Sequence, residues 1–79
     1  MQLGDVYRND PAMFTDEYKR QHDLEEYGTG PFVITRVDDD YSFYVKSLAD
    51  GRSFGPWSHP RNWGILDTFL TEAYRANNG

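Results

Sequence analysis

The chain has no cysteine, which excludes disulfide staples and thiolate metal sites and leaves packing, or a partner subunit, as the source of stability. Histidine is nearly as scarce, with only His22 and His59. A zinc site would need carboxylates gathered by folding, so no metal and no cofactor are expected. No apolar run approaches the roughly 18 residues of a membrane span, and residues 1–20 lack the basic-then-apolar order of a secretory signal. The expectation is a chain without membrane contact, located in the cytoplasm.

Catalytic patterns are also missing. No glycine-rich loop follows a strand and opens a helix, because Gly28 and Gly30 come before a strand. Ser58 and His59 are neighbours whose side chains point to opposite faces of an extended segment, unlike a nucleophile and its base. Asp38-Asp39-Asp40 resembles the start of a calcium loop but lacks the glycine at the sixth position and the glutamate at the twelfth. Glu25 and Glu26 belong to a charge run of the kind that is normally solvated. A chain this small also has little room for a cleft that excludes water. The expectation is a protein that is not an enzyme.

What is present is aromatic. Six Tyr, five Phe and two Trp occur in 79 residues, and each buried ring removes about 150–250 Å² from water. A few rings can therefore replace many aliphatic side chains in the single core that a chain of this length supports, and residues 1–79 are read as one domain. Charge is uneven. The net charge is −5, with residues 1–40 contributing −6 and residues 41–79 contributing +1. A negative field repels phosphate backbones and attracts basic proteins, so a protein partner, of basic character, is favoured over nucleic acid.

Residues 2–9 alternate, with Leu3, Asp5 and Tyr7 on one side and Val6 and Arg8 on the other, and predict a short edge strand. Asp10-Pro11 has the form of a helix start. From there to Tyr27, the residues Met13, Phe14, Tyr18, Leu24 and Tyr27 mark a thin helical stripe, which Gly28-Thr29-Gly30-Pro31 ends. Phe32-Val33-Ile34-Thr35-Arg36-Val37 is rich in β-branched residues with a polar exit and predicts a central strand. The aspartates at 38–40 are read as a turn. Residues 41–48 then place Tyr41, Phe43 and Val45 on one face and Ser42, Tyr44 and Lys46 on the other. Asp50-Gly51 suits a two-residue hairpin turn with positive φ at both central positions. The returning strand, residues 52–57, contains Pro56 and is therefore placed at an edge. Ile65, Leu66, Phe69, Leu70 and Ala73 fall on one face of a C-terminal helix, with Asp67, Thr71 and Arg75 on a polar face turned to water. Gly30-Pro31-Phe32 and Gly55-Pro56-Trp57 are read as strand-entry devices. The predicted fold is α+β: a small antiparallel sheet, or partly open barrel, of about four strands, with an inserted helical segment and a C-terminal amphipathic helix.

This order of signals over residues 3–57 resembles the Src-homology-3-like (SH3-like) small barrels, including their chromo and integrase-tail relatives. The similar features are the first strand with Gly4-Asp5-Val6, a long first loop, the stretch from Gly30 to Val37, the paired strand at 41–48 and the Asp50-Gly51 turn. The resemblance implies binding of peptides or nucleic acid through aromatics beside the loops. It carries over no individual functional residue, and the partly helical first loop and the added C-terminal helix depart from it.

Residues 52–63 concentrate both tryptophans, two prolines, two arginines and a histidine without any acid. Trp and Arg are enriched at binding hot spots. Arg52, Phe54, Trp57, His59, Arg61 and Trp63 are therefore candidate contacts for a protein partner, while Trp57 and Trp63 could equally plug a small core. The acids Asp16, Glu17, Asp23, Glu25, Glu26, Asp38, Asp39 and Asp40 are candidates for an orienting acidic surface. Two other functions fit the same residues. One is a phage or mobile-element inhibitor of a host nucleic-acid enzyme that presents acids in place of phosphates. The other is single-strand binding by base stacking on Tyr44, Phe54 and Trp57 beside Arg52 and Arg61. A homodimer is compatible with all three.

Overall fold

The computed structural model describes residues 2–8, 16–28, 30–39, 42–57 and 65–78. The elements run β1 (Val6–Arg8), α1 (Glu17–Tyr27), β2 (Phe32–Asp39), β3 (Ser42–Ser47), β4 (Ser53–Trp57), β5 (Ile65–Leu66) and α2 (Thr68–Asn78). The strands form one five-stranded antiparallel sheet in the order β4-β3-β2-β1-β5. The α+β class holds, with one strand more than the pattern predicts. β1 is interior, not an edge, because Ile65 and Leu66 pair beside Arg8 and Tyr7. Among the described residues, no helix is long and apolar enough to cross a membrane.

Helix α1 begins where Asp16, in extended conformation, accepts the Tyr18 N–H at 2.9 Å, satisfying one of the free donors of the first turn. It ends at Gly28, whose φ of 82° is open to glycine and whose N–H donates to the Leu24 carbonyl at 2.8 Å. The Asp10-Pro11 start, Met13 and Phe14 lie outside the described residues.

Strand alternation sets the core. Tyr7 is opposite Phe32, Ile34 is opposite Val45, and Val45 is also opposite Phe54, so these side chains share a face. Tyr7, Phe32, Ile34, Phe43 and Val45 form its buried cluster, with Tyr27, Phe54 and Trp57 packed against it. Val6 and Val33, paired with each other, are fully buried on the other face. β2 is buried over residues 32–34 and exposed over 35–39, even though Val37 of its outer half is paired with the buried Phe43. Asp38 and Asp39 are within that half, not in a turn, and Asp40 is outside the described residues.

The β3–β4 connection is longer than a two-residue hairpin. Ser47 N–H donates to the Arg52 carbonyl and Gly51 N–H to the Ser47 carbonyl, closing a loop over residues 48–51. Gly51 takes φ 78°, and no residue other than glycine has positive φ among those described. Asp50 instead folds its carboxylate back onto the Arg52 N–H at 3.0 Å. Gly30-Pro31 stands at the entry of β2 as expected, whereas Gly55-Pro56 lies inside β4; both peptide bonds are cis.

Helix α2 departs most from the hydrophobic pattern. Ile65 and Leu66 are strand, and the helix starts after Asp67, whose carboxylate accepts the Leu70 N–H at 2.8 Å. Asp67 N–H donates to the Val6 carbonyl, continuing the β1–β5 ladder by one residue. The Asp67 carbonyl cannot return that bond in full, because the helix claims it through the Thr71 N–H at 2.9 Å. Thr71 Oγ1 fills the gap, accepting from the Val6 N–H at 2.9 Å and donating to the Asp67 carbonyl at 2.7 Å. Arg75, one turn on, reaches the Leu3 carbonyl and the Asp5 carboxylate. The polar stripe Asp67, Thr71, Arg75 therefore faces the body of the protein. Thr71 is 5% exposed and Phe69 is 78% exposed, while Leu70 and Ala73 are half-buried, so the helix is rotated part of a turn from the orientation read from hydrophobicity.

Candidate partner-binding surface

β4 lies at a sheet edge, as Pro56 requires. An ideal strand would send Phe54 and Trp57, three residues apart, to opposite faces. The β3–β4 register shifts between Phe43 and Val45, so Trp57 is opposite Phe43 while Phe54 is opposite Val45. Both rings thus reach the same face and stack, with centroids 6.0 Å apart and planes 11° from parallel. Gly55 at φ 141° makes this path; a Cβ there would sit 2.6 Å from the Tyr44 ring.

Tyr27 closes the group from α1. Its ring meets Phe54 and Trp57 edge-on, at 5.2 and 5.3 Å and near right angles, a favoured aromatic geometry. Phe32 and Phe43 lie beneath and are buried, while Tyr27, Phe54 and Trp57 are half-buried. The result is a ledge of three partly exposed rings on a buried aromatic floor. Trp57 thus serves both readings at once, floor contact and outer surface. His59, Arg61 and Trp63 lie outside the described residues.

Arg52 flanks the ledge, its guanidinium 5.2 Å from the Phe54 ring centre. It also donates to the Asp50 carboxylate at 2.8 Å and to the Glu26 carbonyl at 3.4 Å. The Arg52 backbone N–H and side chain hold the Asp50 carboxyl below its usual range. Arg52 is thus neutralised locally and ties α1 to the β3–β4 loop. On the helix side the rim is acidic. Burial raises the Tyr27 hydroxyl, and the Glu26 and Asp23 carboxylates raise it further. Asp23 is itself raised, by burial first and then by Glu26.

The acids divide between two places. Asp16, Glu17, Asp23, Glu25 and Glu26 are on α1, whose end meets Arg52 beside the β3–β4 loop. Asp38 and Asp39 are at the far end of β2, about 20 Å away at the rise of a strand. Asp38 is paired there with Arg36. Tyr44 carries the Arg36 guanidinium 5.3 Å over its ring, on the face opposite Phe54 and Trp57, so the three rings considered for base stacking do not form one platform. Among the described residues, no three His, Cys, Asp or Glu side chains converge as metal ligands. A groove of about 290 Å³ between α2 and the start of the chain is lined by Leu3, Ile34, Tyr74 and Arg75, but Arg75 is committed to Asp5 and Leu3.

The acids of α1 and the rings of β4 were legible as separate groups; their junction was not. Tyr27, which makes it, read as one more residue of a thin helical stripe. Its place immediately before the Gly28 stop is the one available signal, since a helix's last turn is where it meets the following strand. Comparison with protein-family models, with curated proteins and with solved structures finds no match.

Proposed function

We propose that the chain is a non-enzymatic binding module that takes a basic segment of a protein partner on the ledge of Tyr27, Phe54 and Trp57. The observation that carries this reading is the junction at Tyr27: half-exposed rings of the type that anchor interfaces sit against a helix end bearing Asp23 and Glu26. An arginine or lysine of the partner would lay its stem on the rings and its charge toward the acids, combining cation–π contact with charge steering. β4 itself is unsuited to receiving an added strand, because Pro56 has no N–H to offer. Recognition is therefore assigned to side chains. The strand order, in which the last strand lies beside the first, is compatible with reading the sheet as a partly open SH3-like barrel, a resemblance that implies binding of peptides or nucleic acid.

The test is a titration of the isotope-labelled chain with short peptides carrying Arg or Lys beside an apolar residue. Shifts are expected at Tyr27, Phe54 and Trp57, weakening with added salt. The double variant Asp23→Asn with Glu26→Gln keeps the rings and should lose affinity about threefold or more. Shifts confined to other surfaces, or single-stranded DNA binding more tightly than every peptide, would reject the proposal.

A further inference from the structure

We infer that α1 is a strap that opens from the aromatic face while the sheet stays folded, and that Arg52 is the latch holding it shut. The opening belongs to the free chain, so this inference and the peptide reading can fail separately.

Helix α1 is attached by its C-terminal half. None of its residues whose burial is described is buried, and the half-buried ones, Asp23, Leu24 and Tyr27, all follow its midpoint. Tyr18, in the first turn, is 77% exposed. Among the described residues, two kinds of bond tie the helix to the rest of the chain. One is the edge-on contact of the Tyr27 ring with Phe54 and Trp57. The other is the hydrogen bond from Arg52 Nη1 to the Glu26 carbonyl. A helix of 11 residues draws most of its stability from packing, since isolated helices below about 12–15 residues are marginal in water. The pairs within α1, Arg20 with Glu17 and His22 with Glu26, are exposed and add little.

The latch answers a defect in the helix itself. Its last turn carries Glu25 and Glu26 and no base, against the dipole, which favours a cation at this end. Arg52 supplies that cation from the far end of the β3–β4 loop. It donates to the Glu26 carbonyl, one of the acceptors that a helix end leaves free. Its guanidinium also lies over Phe54, the ring that Tyr27 meets edge-on, and Asp50 anchors it from the loop side. One side chain thus joins helix end, ring and loop. Without it, the Tyr27 ring alone holds the strap. Opening removes the Tyr27 cover from Phe54 and Trp57, whose mutual stack is internal to β4 and does not depend on α1. The ledge therefore has a covered and an uncovered form.

The test is native-state hydrogen exchange of the full chain, read by NMR, comparing the amides of residues 21–27 with those of 32–34 and 43–45. The helix amides are expected to exchange as a group, about tenfold or more faster than those of the sheet. Their rates should depend only weakly on urea, because a local opening exposes little surface. Arg52→Gln removes the cation and keeps a polar side chain. It should speed exchange over residues 21–27 about threefold or more and leave residues 32–34 and 43–45 at their former rates. Equal protection of helix and sheet, or an equally steep urea dependence in both, would overturn the inference without any substitution. So would an Arg52→Gln effect that is absent, or that is shared equally by the sheet.

Discussion

Arg75 Nη2 lies 2.7 Å from Asp5 Oδ1, joining α2 to the residue before β1 across 70 positions of sequence. Asp5 is buried and also accepts the Gln2 N–H at 2.9 Å, with the Tyr7 hydroxyl 3.5 Å away. Asp5→Ala would strand these donors together. Because Arg75 is nearly half exposed, water compensates part of the loss, and the expected destabilisation is about 1–3 kcal/mol, measured as a shift in urea midpoint at unchanged slope.

The Thr71 hydroxyl stands between the Val6 N–H and the Asp67 carbonyl. Thr71→Val keeps the shape and removes the bridge, leaving a buried N–H unsatisfied at a cost of about 1–3 kcal/mol. Thr71→Ser keeps the bridge and should cost less. Urea titrations of both variants check the ranking, and amide exchange at Val6 should accelerate more in Thr71→Val.

Acid and alkali should both weaken the fold, through different groups. The Arg8 side chain and the Leu70 N–H hold Asp67 below its ordinary value of 3.8, as Arg52 holds Asp50. Such groups stabilise the folded chain above the unfolded value and lose that contribution as pH falls through the lowered one. Tyr7 and Tyr27, raised above 10.0 by burial first, stabilise below the unfolded value and lose it as pH rises past the folded one. Asp67→Asn, which can still cap the helix, should flatten the acid limb and leave the alkaline limb unchanged in melting temperature measured against pH.

Gly51 and Gly55 both have positive φ, yet they should respond differently to alanine. At Gly51 the nearest atom to an added Cβ is 4.0 Å away, so only backbone strain of about 1–2 kcal/mol applies. At Gly55 the added atom would also collide with the Tyr44 ring and the Phe43 carbonyl. Gly55→Ala should therefore cost more than Gly51→Ala, and should disturb the Phe54–Trp57 stack, visible as a change in near-ultraviolet circular dichroism.

Much of the architecture was written in local signals: Gly28 ends a helix, β-branched residues make β2, and Pro56 sends β4 to an edge. The misreadings have a common origin in bonds between distant segments. Hydrophobic periodicity placed Phe69 inward, but the hydrogen-bonding demand of Val6 turned Thr71 inward instead. Strict alternation would separate Phe54 from Trp57, but a register shift against β3 unites them. Asp50-Gly51 suggested the tightest hairpin, but the Asp50 carboxylate binds the Arg52 N–H and Gly51 alone takes positive φ.

The change of environment halfway along β2 gives a single strand two clocks. Amide protons of residues 32–34, shut inside the packed layer, must wait for the whole molecule to open, whereas those of 35–39 can exchange by fraying of the hairpin end alone. The outer half could then be lengthened or trimmed in steps of two residues, which preserve the pleat, while the inner half continued to report global stability.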